Sequence, residues 1–508
     1  MRPWALLAIL LLALLLRLIG LESNPPGFFR DEARKAYSTY SLLKTGKDLT
    51  GRDWPLQIKE FNAYTTPIYH WLSLPILGTL GMSVFAARLS AALAGTLACW
   101  GVYLLGRDWV SRNAGLWAAA LLAVSPWHLL FSRWANQGIL MTAFIPLALW
   151  LTWRALEGGQ SPRWRWAIPS AVFWALSWIA YEPARVFVPA LLFTLIFLSL
   201  FREGWRSRQA LVVFGIGMGT LLLISPFVVA ILRDWELARA RFETISGQET
   251  LTPLLLLKNY LLHWNPLYLL WSGDANPRHH VSGQGQLAPL EGLACLAGVY
   301  LLWKTKGAWR GMLLAWLLLS PLPGSITQEG LPHSLRTLMI VPAFALLGGI
   351  ALAEAAKCAP NLPKQVVAAA LIAAWGLQAC VSLYLFRTVY PEKSAPYWEA
   401  GYLEAIRSVE ANRKEGEVCA VSGLIEFPEA MVEFVTLPDP TDIQSGKPLG
   451  GYRFEKTGTP LNPLAYSDCK LFLIRPGEIR RPPWWKELSP APENEEMLSA
   501  WRLYRSEK

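Results

Sequence analysis

Between residues 4 and 19 only Arg17 interrupts a run of apolar side chains, and similar runs recur along the chain as far as about residue 386. Runs of this kind match membrane-spanning helices, which need about 20 mostly apolar residues, fewer where kinked. The others lie near 85–105, 114–131, 138–155, 166–181, 186–201, 209–231, 288–303, 311–325, 337–354 and 365–386. The pattern therefore predicts about eleven spans. The first starts like a signal peptide, but Leu21-Glu22-Ser23-Asn24-Pro25 offers no small-residue cleavage site, so it reads as an uncleaved anchor.

Beyond Phe386 the pattern changes. Residues 395–412 read as an amphipathic helix, 417–422 as a strand, 427–435 as a helix and 470–474 as a strand. That alternation predicts a small α/β domain. The expected architecture is a multi-spanning α-helical membrane protein with a small C-terminal α/β domain. Residues 1–390 would form the membrane domain, with a large first outer loop at 20–84, and 391–508 a soluble domain.

Composition supports the membrane class, with 53% hydrophobic and only 17% charged residues, against about 25% charged in soluble chains. The 26 tryptophans suit aromatic belts at two interfaces. A net charge of +10 could suggest nucleic acid, but the basic residues fall in short loops between apolar runs, which excludes that partner. Arg2 precedes the first run, and alternate loops carry Arg107 and Arg112; Arg154, Arg163 and Arg165; Arg202, Arg206 and Arg208; Lys304, Lys306 and Arg310; and Lys357 and Lys364. By the positive-inside rule these are cytoplasmic, with the N-terminus inside and the C-terminal domain outside. All six histidines (His70, His128, His263, His279, His280 and His333) then lie outside or at outer span ends, either as ordinary loop residues or as a polar site on that face. Cys99, Cys295, Cys358 and Cys380 read as small packing residues. Cys419 and Cys469 could pair in an oxidising compartment if the fold brings them together.

The first outer loop holds the most informative chemistry. Asp31 and Glu32 follow the anchor span closely, and Ala33, Tyr37, Tyr40 and Leu43 recur at helical spacing, predicting a short helix that starts near the acidic pair. Asp31 can be read as a helix cap or as a surface charge. Alternatively, a carboxylate at the membrane surface, its pKa raised by partial desolvation, can serve as a general base or metal ligand.

Several segments carry a resemblance. They are the Asp31-Glu32 pair, Thr45-Gly-Lys-Asp-Leu-Thr-Gly51, Pro67-Ile-Tyr-His-Trp71, Phe85-Ala-Ala-Arg-Leu-Ser-Ala-Ala-Leu-Ala-Gly95 and Tyr103-Leu-Leu-Gly-Arg107. Ser125-Pro-Trp-His-Leu-Leu-Phe-Ser-Arg133, Gly273-Asp-Ala-Asn-Pro-Arg-His279 and Pro332-His-Ser-Leu-Arg336 continue it. In order and spacing the chain, over about residues 1–390, resembles the large-loop GT-C glycosyltransferases. These form the protein O-mannosyltransferase and aminoarabinose transferase superfamily, glycosyltransferase family 39-like, and the likeness is to its bacterial branch. The tail is not covered.

The resemblance implies a polyprenyl-phosphate-linked sugar donor, a lipid, protein or glycan acceptor, and a site on the non-cytoplasmic side of a bacterial cytoplasmic membrane. It implies Asp31 as the base activating an acceptor hydroxyl, with Glu32 orienting it. An optional divalent metal would rest on the same two residues. The leaving lipid phosphate needs charge stabilisation, for which Arg336 and His333 are the candidates, with Arg278 and His279 behind them. Arg336 can instead be an interfacial snorkelling residue, and the histidines plain surface residues. Arg88 is expected to anchor the second span or touch donor. Tyr64, Arg133 and the outer turn Tyr181-Glu182-Pro183-Ala184-Arg185 are expected at the cavity edge, unless Glu182 and Arg185 simply pair. Two features depart from the family. Asn136 and Gln137 stand where an acidic residue is common, and Tyr64-Thr65-Thr66-Pro67 replaces a Glu-Lys pair, which weakens a metal-dependent or aminoarabinose-specific reading. A transporter or flippase is the alternative, disfavoured because acidic residues are almost absent from the spans.

Overall fold

A computed structural model describes residues 4–157, 163–203, 208–235, 251–355, 362–479, 482–488 and 501–507, together with residue 239. Cys358, read above as a packing residue, lies outside the described residues, as do Arg2, Arg206 and Lys357. The main helices of the N-terminal half are α1 (Ala5–Leu18), α2 (Arg30–Thr45), α3 (Ile68–Leu80), α4 (Val84–Trp109), α5 (Arg112–Val124), α6 (Pro126–Phe131), α7 (Ile139–Leu156), α8 (Trp164–Ala180), α9 (Ala184–Glu203) and α10 (Arg208–Arg233). After them come α11 (Pro253–Leu262), α12 (Pro289–Lys304), α13 (Trp309–Leu319), α14 (Val341–Glu354), α15 (Lys364–Tyr384), α16 (Tyr402–Asn412) and α17 (Glu429–Thr436).

Each apolar run coincides with a helix, though not always an unbroken one. Residues 114–131 split into α5 and α6 at Ser125-Pro126, because proline has no N–H to donate and disfavours helical geometry in the residue before it. Five segments of the described residues are long and apolar enough to cross a membrane: Val84–Trp109, Ile139–Leu156, Ala184–Phe201, Arg208–Arg233 and Lys364–Trp398. Helix α2 forms where the spacing of Ala33, Tyr37, Tyr40 and Leu43 predicts a short helix, and α3, also inside the expected first loop, adds structure that the pattern did not mark.

The chain divides into two compact units. One comprises Met1–Gly20, Ala63–Tyr69 and Leu89–Tyr390; the other comprises Leu21–Asn62, His70–Arg88 and Pro391–Lys508. A division falls at residue 390, but most of the first loop groups with the tail.

In the first unit, glycines let helices approach to backbone contact, the usual device where lipid removes any hydrophobic drive between helices. A Cβ on Gly349 of α14 would sit 2.5 Å from Ala118 N and 2.6 Å from Ala114 O on α5. A Cβ on Gly298 of α12 would sit 2.4 Å from Leu347 O on α14. Polar groups inside this unit are bonded in chains. Arg17 Nη2 donates to His128 Nδ1 at 2.8 Å, and His128 Nε2 lies 2.9 Å from Thr142 Oγ1. The Thr142 hydroxyl gives its proton to Ile139 O, so His128 carries its proton on Nε2. Arg133 is fully buried and donates to Leu16 O, Ile19 O and Gly20 O, satisfying carbonyls left over at the end of α1. Arg133, expected at the cavity edge, thus closes the C-terminal end of α1.

In the second unit the tail forms a five-stranded sheet. Its strands are β1 (Cys419–Val421), β2 (Tyr452–Phe454), β3 (Leu471–Ile474), β4 (Trp485–Glu487) and β5 (Arg502–Ser506). Their order is β2-β1-β3-β5-β4, with β1 parallel to β2 and β3, and β5 antiparallel to β3 and β4. Leu471 and Leu473 face one core and Phe472 and Ile474 the other, as the two-residue strand period requires. Cys419 and Cys469 belong to these opposite cores, and both thiols are free. Leu471, Leu473 and Cys419 share their core with Met431, Val432 and Phe434 of α17 and with Phe28, Ala33 and Ala36 of the first loop. Charge complements that apolar contact. Arg34 Nη1 is 2.6 Å from Glu433, and the Arg30 guanidinium binds Glu399 and Glu426.

Candidate functional site

Two groups of ionisable residues, one in each unit, include the side chains singled out from the sequence. In the second unit, α2 begins at Arg30, so Asp31 sits in its first turn, on the exposed side. Asp31 is not the cap. That task falls to Glu32, whose Oε2 accepts from Phe29 N at 3.2 Å. Glu32 is fully buried, with Oε1 2.9 Å from Arg88 Nε and Oε2 2.8 Å from Arg88 Nη2. Arg88 also donates to Leu21 O (2.9 Å), Pro25 O (3.1 Å) and Gly27 O (2.6 Å), and so braces the loop that leads into α2. With both its oxygens committed, Glu32 does not fit the metal-ligand role considered for it. Nor does Arg88, with every guanidinium nitrogen engaged, suit donor contact.

Elsewhere in the same unit, Glu60 lies 3.0 Å from Lys35 Nζ and 3.2 Å from His70 Nε2. Burial pushes the Glu60 carboxyl up, but Lys35 and His70 outweigh it and hold it at about 2. Glu399 has the opposite balance. Burial pushes it up to about 7 against the pull of Arg30, whose backbone N–H it also accepts at 3.2 Å.

The second group lies in the first unit, where a single π turn at Tyr268–Ser272 ends on Gly273 in the left-handed region (φ 69°). A side chain there would collide with His280, its Cβ lying 2.7 Å from the His280 Cβ. The chain then turns on Asp274, whose Oδ1 accepts from Asn276 N at 2.8 Å. Its Oδ2 accepts from both Ser334 N (2.8 Å) and Ser334 Oγ (2.7 Å), joining the loop before α12 to the loop before α14. The turn brings His279 back toward Asp274, with Nδ1 3.5 Å from Oδ2. The His279 and His333 rings lie 5.1 Å apart. His263 supports His333 from behind: its Nδ1 donates to Asn259 O at 2.8 Å, leaving Nε2 to accept from His333 N at 3.2 Å.

Donor atoms of Asp274, His279 and His333 all lie within 4.8 Å of one another. Burial pushes the Asp274 carboxyl up, but His279 and the N–H groups of Ser334 and Asn276 hold it well below the usual carboxylate range. Burial and the neighbouring Arg278 and Arg336 charges lower His279 against the pull of Asp274. Burial, His279 and Arg336 lower His333 further. A carboxylate therefore faces two neutral imidazoles. Beside them Arg336, 8% exposed, donates to Thr327 Oγ1 (2.7 Å), Glu329 O (2.9 Å) and Glu329 Oε2 (2.8 Å), with the Glu329 side chain 66% exposed.

Thus His333, Arg336, His279 and Arg278, far apart in sequence, come together around one loop pair. Asp274 and His263 complete the set and were missed as site residues. The signal available for Asp274 was Gly-Asp-x-Asn, which encodes a tight turn. Gln137 Nε2 donates to Thr65 Oγ1 at 3.1 Å, next in sequence to Tyr64, and Thr66 Oγ1 donates to Ala180 O, next to Tyr181. Glu182 and Arg185 lie 3.9 Å apart, and Arg185 stacks over Trp178.

Residues 65–230 match the model of the dolichyl-phosphate-mannose-protein mannosyltransferase family. No curated protein matches the chain in sequence. Among solved structures, ArnT from Cupriavidus metallidurans bound to undecaprenyl phosphate superposes with a TM-score of 0.59 at 12% identity, covering 98% of this chain and 97% of that one. The Archaeoglobus fulgidus oligosaccharyltransferase tethered with an acceptor peptide gives 0.56 at 13% identity, covering 93% and 69%. The same organism's AglB in complex with an inhibitory peptide and a dolichol-phosphate gives 0.54 at 14% identity, also covering 93% and 69%. From end to end, the chain has the fold of the GT-C-type membrane glycosyltransferases.

Proposed function

We propose that this protein transfers a sugar from a polyprenyl-phosphate donor to an acceptor hydroxyl on the non-cytoplasmic face of a bacterial inner membrane. The observation that carries this is a buried, cation-flanked loop pair at helix ends, in a chain whose residues 65–230 match a mannosyltransferase-family model. A transporter would place its ionisable residues along the spans near the midplane. Here they collect in loops and at helix ends instead. The structural neighbours bound to undecaprenyl phosphate and dolichol-phosphate support a lipid-phosphate donor.

In the proposed reaction the Asp31 carboxylate takes the acceptor hydroxyl proton. The acceptor oxygen bonds to the anomeric carbon as that carbon's bond to phosphate oxygen breaks, so polyprenyl phosphate departs and configuration inverts. Arg336 meets the phosphate charge, for which a planar guanidinium is suited. Positive-inside loops support an inner N-terminus and an outer tail. Incubating purified protein with a panel of polyprenyl-phosphate sugars and measuring released polyprenyl phosphate tests the function. Asp31→Asn should abolish release without loss of folded protein. Wild-type activity in that variant would overturn the base assignment, and no release with any donor would return the transporter to first place.

A further inference from the structure

We infer that Asp274, His279 and His333 bind a divalent metal ion of the zinc class, with a fourth coordination position left for water or an anionic ligand oxygen. The inference does not depend on the transferase reading. Ligands about 2.0–2.1 Å from a tetrahedral zinc lie roughly 3.3–3.4 Å from one another. His279 Nδ1 and Asp274 Oδ2 are 3.5 Å apart, long for a hydrogen bond and close to that edge length. His279 is 6% exposed, yet its Nδ1 has no hydrogen bond among the described residues. A buried ring nitrogen aimed at a carboxylate oxygen without bonding it is the arrangement a cation between them would explain.

The surroundings fit as well. Two imidazoles and one carboxylate form a donor set preferred by zinc and its first-row neighbours, and three protein ligands with an open fourth position are the usual pattern of a reactive rather than structural site. The ligand oxygen of Asp274 is itself oriented by the N–H and hydroxyl of Ser334, and His333 is held through its backbone by His263. Outer partners of this kind set metal affinity. The carboxyl of Glu329 offsets the charge of Arg336 nearby.

The experiment uses the full chain, purified in detergent without a histidine tag or chelator. Elemental analysis should find about one zinc-class ion per chain, removable by chelation and restored by zinc alone. Cobalt added to chelated protein should give the intense visible absorption of a four-coordinate site. Ser334→Ala, which touches no metal, should weaken zinc affinity by about 10–100-fold, and His279→Gln should abolish the cobalt spectrum. Wild-type protein that carries no such ion and takes up neither zinc nor cobalt at micromolar concentration would overturn the proposal, whatever the variants do. Retention of the cobalt spectrum in folded His279→Gln would overturn it equally.

Discussion

Replacing Glu32 with Gln removes one charge from a pair in which both side chains are fully buried. Arg88 then keeps its carbonyl partners Leu21, Pro25 and Gly27 but loses its counter-charge. Breaking a buried pair from one side costs about 3–5 kcal/mol, because the remaining ion stays desolvated and uncompensated. At about 2–4 °C per kcal/mol for domains of this size class, Tm should fall by roughly 6–20 °C. The assay is thermal unfolding of the purified full chain in detergent, followed by tryptophan fluorescence. Arg88→Met alone leaves the Glu32 carboxylate buried without its partner and should cost a similar amount. In the double variant, Glu32→Leu with Arg88→Met, neither charge remains, so the loss should be smaller than the sum of the single losses, which the mutant cycle measures directly. It should not vanish, since the loop carbonyls lose their donor. An unchanged Tm in Glu32→Gln with transfer abolished would refute the structural assignment and return Glu32 to the chemistry.

Glu399 and Glu433 are both pushed up to about 7 by burial, so between pH 4.5 and 7 they hold protons that the unfolded chain releases. Their contribution to stability is therefore complete below pH 4.5 and is lost as pH rises through 7, and combined Glu399→Gln and Glu433→Gln should flatten the dependence of Tm on pH in that window. Gly349→Leu forces a side chain into the backbone of α5 and should cost at least about 1–3 kcal/mol, read as a lower Tm or as loss of monodisperse protein. If Arg336 meets the donor phosphate, exposed Glu329 competes for it. Glu329→Gln should then lower the donor KM by up to about five-fold, the range of a weak surface pair, whereas Arg336→Lys should raise it.

Membrane class, the positions of the apolar helices and the alternating tail follow from sequence alone, because hydrophobic periodicity is local and strong over such lengths. The acidic pair of the first loop was equally legible, but apart from the family resemblance nothing in the pattern separated the roles of its two members. Only the fold turns Asp31 outward and commits Glu32 to Arg88, fifty-six positions away. The tail's contact with the first loop was hidden for the same reason: Arg34 meets Glu433 across 399 positions, and no pattern in either segment encodes the other. Histidine segregation hinted at a polar site, yet Asp274 and His279 are tied to the loop of His333 through Ser334, sixty positions on from Asp274. Residue type and spacing determine which elements form and which groups can react. Which of those groups are used up in holding the fold, and which are left facing one another, is decided by contacts between distant segments.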